Sequence, residues 1–202
     1  MKKVAIIDYG VGNILSLKRA LDYGKVKCIV TKNEKIIKDC SHLILPGVGA
    51  FSSAMQILKE TKLDNIIKNF AESGKPLLGI CLGMQLLFSK SYEFGKWEGL
   101  NLIPGIAKKI SIKNENIPFV GWYKLKTSNK KNMLKKFDKK YLYLTHSYQC
   151  ITENKQHVIG TYEVNKNHIV CAVQKKNIFG FQFHPEKSSY DGIEILKKFC
   201  KS

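Results

Sequence analysis

Pro76-Leu77-Leu78-Gly79-Ile80-Cys81-Leu82-Gly83-Met84-Gln85-Leu86-Leu87-Phe88 changes texture in the middle. An apolar run at 76–80 predicts a strand, two glycines flank a cysteine, and apolar residues at helical spacing predict a helix over 81–88. The same strand, Gly-rich turn and helix recur upstream. Lys3 to Asp8 leads into Tyr9-Gly10-Val11-Gly12-Asn13 and a helical stretch at 16–21; 26–30 and 42–45 read as strands, and 54–70 as a helix with a break near Thr61. Strands alternating with helices need crossover connections, which implies parallel pairing with helices on both faces. After Gly99 the pieces shorten to 106–112, 122–126, 141–144, 158–164, 169–173 and 178–183, an antiparallel supplement, before an amphipathic helix at 190–199. The expected fold is therefore α/β, a three-layer sandwich around a mostly parallel sheet, in one domain spanning 1–202.

Gly79-Ile80-Cys81-Leu82-Gly83 has the spacing of a nucleophile elbow with cysteine in the nucleophile position. A sharp turn leaves no room for side chains on either flank and lifts the sulfur above the strand ends. A following helix start favours thiolate over thiol, and the Leu82 N–H would point where an oxyanion forms. The competing reading is a buried cysteine in an ordinary α/β turn. Phe183-His184-Pro185-Glu186 tilts the balance, because in an extended segment residues i and i+2 project to one side and Glu186 can orient the His184 imidazole. His146 is the other histidine to weigh as base, but no carboxylate is near it in sequence; His42, His157 and His168 read as structural. Pro46-Gly47-Val48-Gly49-Ala50-Phe51 lacks the Gly-Lys-Ser/Thr ending of a nucleotide loop, so its backbone N–H groups suit an oxyanion better than a phosphate.

Bulk properties narrow the function classes. Of 202 residues 44% are hydrophobic and 25% charged, as in a soluble globular chain, and no apolar run is long enough to cross a membrane. Met1-Lys2-Lys3-Val4 does not open a signal peptide, and a cytoplasmic location is expected. The net charge of +18 comes from 34 basic and 16 acidic residues, and 105–140 holds 11 of the lysines. Arg19 is the only arginine, whereas guanidinium forks are the favoured readers of phosphate and bases. A solvated basic surface is expected, and no nucleic-acid partner. Six cysteines without a C-x-x-C pair predict neither disulfides nor a metal site.

Taken together, Asp8 to Ser16, Leu45 to Phe51, Gly79 to Phe88, His146-Ser147-Tyr148 and Gly180 to Ser188 make the chain resemble the class I, triad-type glutamine amidotransferases along nearly its whole length. Within them it is most similar to glutaminase subunits of imidazole glycerol phosphate synthases. The resemblance implies a flavodoxin-like fold and a Cys81-His184-Glu186 triad that hydrolyses glutamine without metal or organic cofactor. It implies an oxyanion hole from Gly47, Val48, Gly49 and Leu82, and glutamine binding by Gln85, Glu93, Ser147 and Tyr148. It also implies that ammonia passes to a (β/α)8-barrel cyclase subunit met by Asn13, Pro118, Gly121, Trp122, Tyr143 and Lys187. Where the family commonly reads Pro-His-x-Gly-Trp-Asn, this chain has Pro118-Phe119-Val120-Gly121-Trp122-Tyr123. That segment is expected to face the partner, so the change leaves open a paralogous ammonia donor, for instance to sugar amidination in surface-glycan synthesis. A cysteine hydrolase acting alone and a basic binding module with a dead site are the opposing classes.

Overall fold

The computed structural model describes residues 3–128 and 131–202; Met1 and Lys2 of the N-terminal reading, and Lys130 of the basic stretch, lie outside them. In chain order the elements are β1 (Val4–Ile7), α1 (Ile14–Tyr23), β2 (Cys28–Thr31), α2 (Glu34–Asp39), β3 (His42–Leu45), α3 (Phe51–Glu60), α4 (Leu63–Glu72), β4 (Leu77–Ile80) and α5 (Leu82–Leu86). There follow β5 (Phe88–Ser91), β6 (Trp97–Glu98), β7 (Ile103–Lys109), β8 (Phe119–Lys124), β9 (Lys126–Thr127), β10 (Tyr141–His146), β11 (Tyr148–Thr152), β12 (Val158–Val164), β13 (Asn167–Lys175), β14 (Ile178–Phe181) and α6 (Ser189–Phe199).

The main sheet runs β2-β1-β3-β4-β14-β13-β12-β9. Its first five strands pair in parallel, and the last three are added antiparallel. The central strands read as unbroken apolar runs because both faces are covered. Val4, Ile6, Ile44 and Leu78 face one core with α1 and α6, while Ala5, Ile7, Leu43, Leu45 and Leu77 face the other with α3, α4 and α5. Two smaller sheets complete the molecule, β10-β8 and β11-β7-β5-β6.

The expected break near Thr61 is present: Lys62 adopts a left-handed φ of 58°, which ends α3 and starts α4. The helix expected over 81–88 is shorter, since α5 stops at Leu86 and Phe88 already opens β5. Apolar side chains from 84 to 88 satisfy either pattern, and pairing of β5 with β7 decides the matter. The sequence reading passes over α2, β6 and β11, which are short and bury few apolar residues. All ten described lysines of 105–140 are exposed, as a solvated basic face requires.

Candidate active site

The site lies beyond the carboxyl ends of β3, β4 and β14, where ligands bind in open parallel sheets. Cys81 follows β4 with φ 55° and ψ −114°, a conformation that costs a non-glycine residue free energy and persists only where its surroundings enforce it. Here they do. The Cys81 N–H donates to Phe181 O at 2.7 Å, and Cys81 O accepts from Met84 N at 3.0 Å and Gln85 N at 3.3 Å. A Cβ on Gly79 would meet Gly83 O at 2.5 Å, and one on Gly83 would meet Leu45 O at 2.0 Å, so only glycine fits either side of the elbow. With five residues, α5 offers a weaker dipole than the longer helix expected, but the Leu82 N–H donates no bond among the described residues and remains available.

Register brings the histidine to the cysteine. Strands β4 and β14 pair in parallel with Ile80 opposite Phe181, so the segments leaving them run side by side and His184 arrives next to Cys81. His184 Nδ1 and Glu186 Oε1 are 2.8 Å apart, both side chains almost wholly buried. The other imidazole nitrogen, Nε2, is buried with no partner, as is Glu186 Oε2. Burial disfavours the imidazolium, but Cys81 and Glu186 beside it outweigh that and push the His184 pKa up to about 10. A raised pKa means the ring is protonated at neutral pH. Its protonation stabilises the folded chain fully below the ordinary value near 6.5, and the contribution fades as pH rises through about 10. An NMR titration of this ring should find its midpoint near 10. In Glu186→Gln the midpoint should fall by about 1 unit or more, because the charge that favours the imidazolium is gone.

A cavity of about 270 Å3 opens onto the sulfur, lined by Val48, Gly49, Cys81, Leu82, Gln85, Glu93, Thr145, His146, Ser147, Tyr148 and His184. The structure thus gathers the expected residues from five separated segments. Gly47 stands behind this wall, its Cα packed where a Cβ would touch Gly83 N at 2.8 Å. Gly49 has φ 88°, and its N–H donates no bond among the described residues. Glu93 accepts from the Phe51 N–H, which gives α3 the cap that Ala50 cannot supply.

His146 is not a base in this arrangement. Its Nδ1–H donates to Tyr148 O at 2.7 Å and its Nε2 accepts from the Tyr162 hydroxyl at 2.7 Å. Burial, against the raising effect of that backbone bond, pulls its pKa down to about 4, so it is a neutral strut under the Ser147-Tyr148 wall. Sequence reading missed three participants. Gln182 donates from Nε2 to Cys81 Sγ at 3.7 Å, Thr145 O lies 4.0 Å from the same sulfur, and Tyr162 holds His146. Gln182 was findable, being two residues before His184 on the same side of an extended segment. Tyr162 carries no such signal.

The six residues expected at a partner do not all share one role. On β8 and β10, paired with Trp122 opposite Tyr143, one face turns outward with Val120, Trp122 and Tyr141 exposed. Trp122 packs edge-on to Tyr143 at 6.1 Å, and Lys187 Nζ lies 5.7 Å from the Tyr143 ring centroid. Asn13 caps α1 through its side chain, which accepts from Ser16 N. Pro118 precedes β8 with a cis bond before it, and Gly121 lies within β8 with φ 144°. One expectation is corrected. Phe119 and Tyr123, where the chain departs from the family pattern, point inward. Phe119 is 3% exposed, and both rings pack on Tyr162 at 6.3 and 4.8 Å. Strand alternation is the reason, since 119 and 123 fall on the face opposite 120 and 122.

An elbow cysteine beside a carboxylate-held histidine at the end of a parallel sheet is the arrangement that a cysteine nucleophile with a general base requires. The Glutamine amidotransferase class-I family profile matches residues 5–202, and the chain belongs to that family. Among relatives, the imidazole glycerol phosphate synthase subunit HisH of Oceanobacillus iheyensis is 44% identical over 197 residues, covering 97% of each chain. The HisH subunit of Bacillus subtilis is 40% identical over 205 residues, covering 98% of this chain and 95% of its own. Among solved structures, PurLQS from Thermotoga maritima superimposes with a TM-score of 0.76 at 20% identity, covering 99% of this chain and 98% of that one. A crystal structure of a glutamine amidotransferase gives 0.76 at 13% identity over 98% and 99% of the two chains. Among the described residues no helix is long and apolar enough to cross a membrane.

Proposed function

We propose that the chain is the glutaminase subunit of an imidazole glycerol phosphate synthase, a cytoplasmic protein whose 202 residues act as one amidotransferase domain. The observation that carries the chemistry is the buried His184 Nε2, without a partner, on a residue that lines one cavity with Cys81. Cys81 attacks the side-chain carbonyl of glutamine while N–H groups of Leu82 and the Gly47-Val48-Gly49 loop receive the developing oxyanion. The C–N bond breaks as His184 gives its Nε2 proton to the departing ammonia, leaving a glutamyl thioester. The now neutral ring takes a proton from water, which cleaves the thioester to glutamate and restores the sulfur. Glu186 holds the ring throughout, and Gln85, Glu93, Ser147 and Tyr148 fix the substrate's backbone groups.

Ammonia then passes to a (β/α)8-barrel cyclase subunit, which uses it to form imidazole glycerol phosphate and the carboxamide ribonucleotide by-product. Support for that partner is the outward aromatic face of Trp122 and Tyr143, continuous with the site through one strand. The His184 backbone N–H donates to Tyr143 O at 2.9 Å, and Thr145 O lies beside Cys81. Because Phe119 and Tyr123 turn inward, the departures from the family pattern leave this outward face unaltered, and the surface-glycan alternative loses its motive. The test is glutamine hydrolysis by the purified chain alone, then with the same organism's histidine-pathway cyclase and its ribonucleotide substrate. Strong activation in the full mixture is expected; none, with Cys81 still labelled by a glutamine-analogue electrophile, overturns the assignment of partner. Trp122→Ala should weaken the complex by about 30-fold, as for a buried aromatic anchor, measurable by calorimetric titration.

A further inference from the structure

Gln182 is wholly buried and spans two groups of the site. Its Nε2 donates to Cys81 Sγ at 3.7 Å, and its Oε1 accepts from Gln85 Nε2 at 3.1 Å. Its backbone N–H donates to Cys171 O at 2.8 Å, which ties it to β13. A primary amide has its donors on one side and its acceptor on the other, so the two side-chain bonds specify each other. With the N–H turned to sulfur, Gln182 must show its carbonyl to Gln85. Gln85 must then answer with its own N–H, and its carbonyl oxygen, which accepts no bond among the described residues, is left for an occupant of the cavity it lines.

We propose that Gln182 is a positioning residue for glutamine hydrolysis: its amide N–H supports the thiolate form of Cys81 while its carbonyl turns Gln85 so that an acceptor faces the substrate's ammonium group. This rests on the reading of Cys81 as nucleophile. The chemistry requires a neutral donor at this place. A cation would compete with His184 for the sulfur's charge, and an apolar side chain would strand both the thiolate and the Gln85 N–H inside a buried site.

The test compares Gln182→Met, close in volume and without polar atoms, with Gln85→Met, which removes only the second contact. Alkylation of Cys81 by iodoacetamide, followed by mass of its peptide against pH, reports how readily the thiolate forms. In Gln182→Met the midpoint should move up by about one pH unit, the worth of one hydrogen bond to a charged group. KM for glutamine should rise and kcat at neutral pH should fall in the same variant. Gln85→Met should raise KM but leave the alkylation midpoint in place. A midpoint unmoved in Gln182→Met, in a protein whose hydrolysis is abolished by alkylation, overturns the proposal alone. Hydrolysis that survives full alkylation of the wild type overturns the nucleophile reading and the proposal with it. Should Gln182→Met not fold, Gln182→Leu fits within the same space and is judged by the same midpoint.

Discussion

Cys81→Ala should yield a folded protein whose glutamine hydrolysis is lost by about 10,000-fold or more, because Cys81 carries the one thiol among the residues lining the cavity. Thr145 presents a carbonyl, Gln182 an amide, and His146 a ring whose two nitrogens are already bonded to Tyr148 and Tyr162. Alanine accepts the backbone conformation no worse than cysteine does, so the outward face of β8 and β10 stays intact and partner binding should be unchanged by calorimetry. Ammonia release is measured on the same preparation. Hydrolysis persisting at a tenth of the wild-type rate would remove Cys81 from the reaction.

Gly83→Ala should be severely damaging. The new Cβ would fall 2.0 Å from Leu45 O and 3.0 Å from Leu45 C, both backbone atoms at the end of a central strand. Neither can swing aside as the tip of a side chain would, so β3 and the elbow must separate. A loss of about 3 kcal/mol or more is expected, at the upper end for overpacking, with a fall in melting temperature of roughly 10 °C for a chain of this size. The effect should also reach the chemistry, since the elbow that holds Cys81 at φ 55° is the part displaced. Calorimetry and labelling of Cys81 by a glutamine-analogue electrophile read the two consequences separately. A variant that melts with the wild type would show that the contact is not as close as described.

Much of this was legible in the sequence for physical reasons that differ along the chain. Short apolar runs at 43–45 and 76–80, bounded by turn residues, suit strands covered on both faces, and the glycine pair around Cys81 is dictated by backbone contacts at the elbow. His184 and Glu186 were paired by the geometry of an extended segment, which is local. What escaped depends on partners far away in the chain. Gln182 meets Cys81 across 101 positions, Tyr162 reaches His146 across 16, and β11 exists because β7 offers it an edge. The inward turn of Phe119 and Tyr123 was hidden for a subtler reason. A motif comparison marks which positions changed, whereas strand alternation decides which side of the sheet the change lands on.

The cavity stands where three sheets meet: Cys81 and His184 leave the main sheet, Thr145 and His146 end β10 of the two-stranded one, and Tyr148 opens β11 of the four-stranded one. Catalysis is therefore a late property of the growing structure, absent until every layer has docked. A chain refolding from denaturant would regain its helical signal well before its turnover, since contacts this remote in sequence are the slowest to form. For the cell, that ordering is a safeguard: an incompletely folded subunit has no means of squandering glutamine.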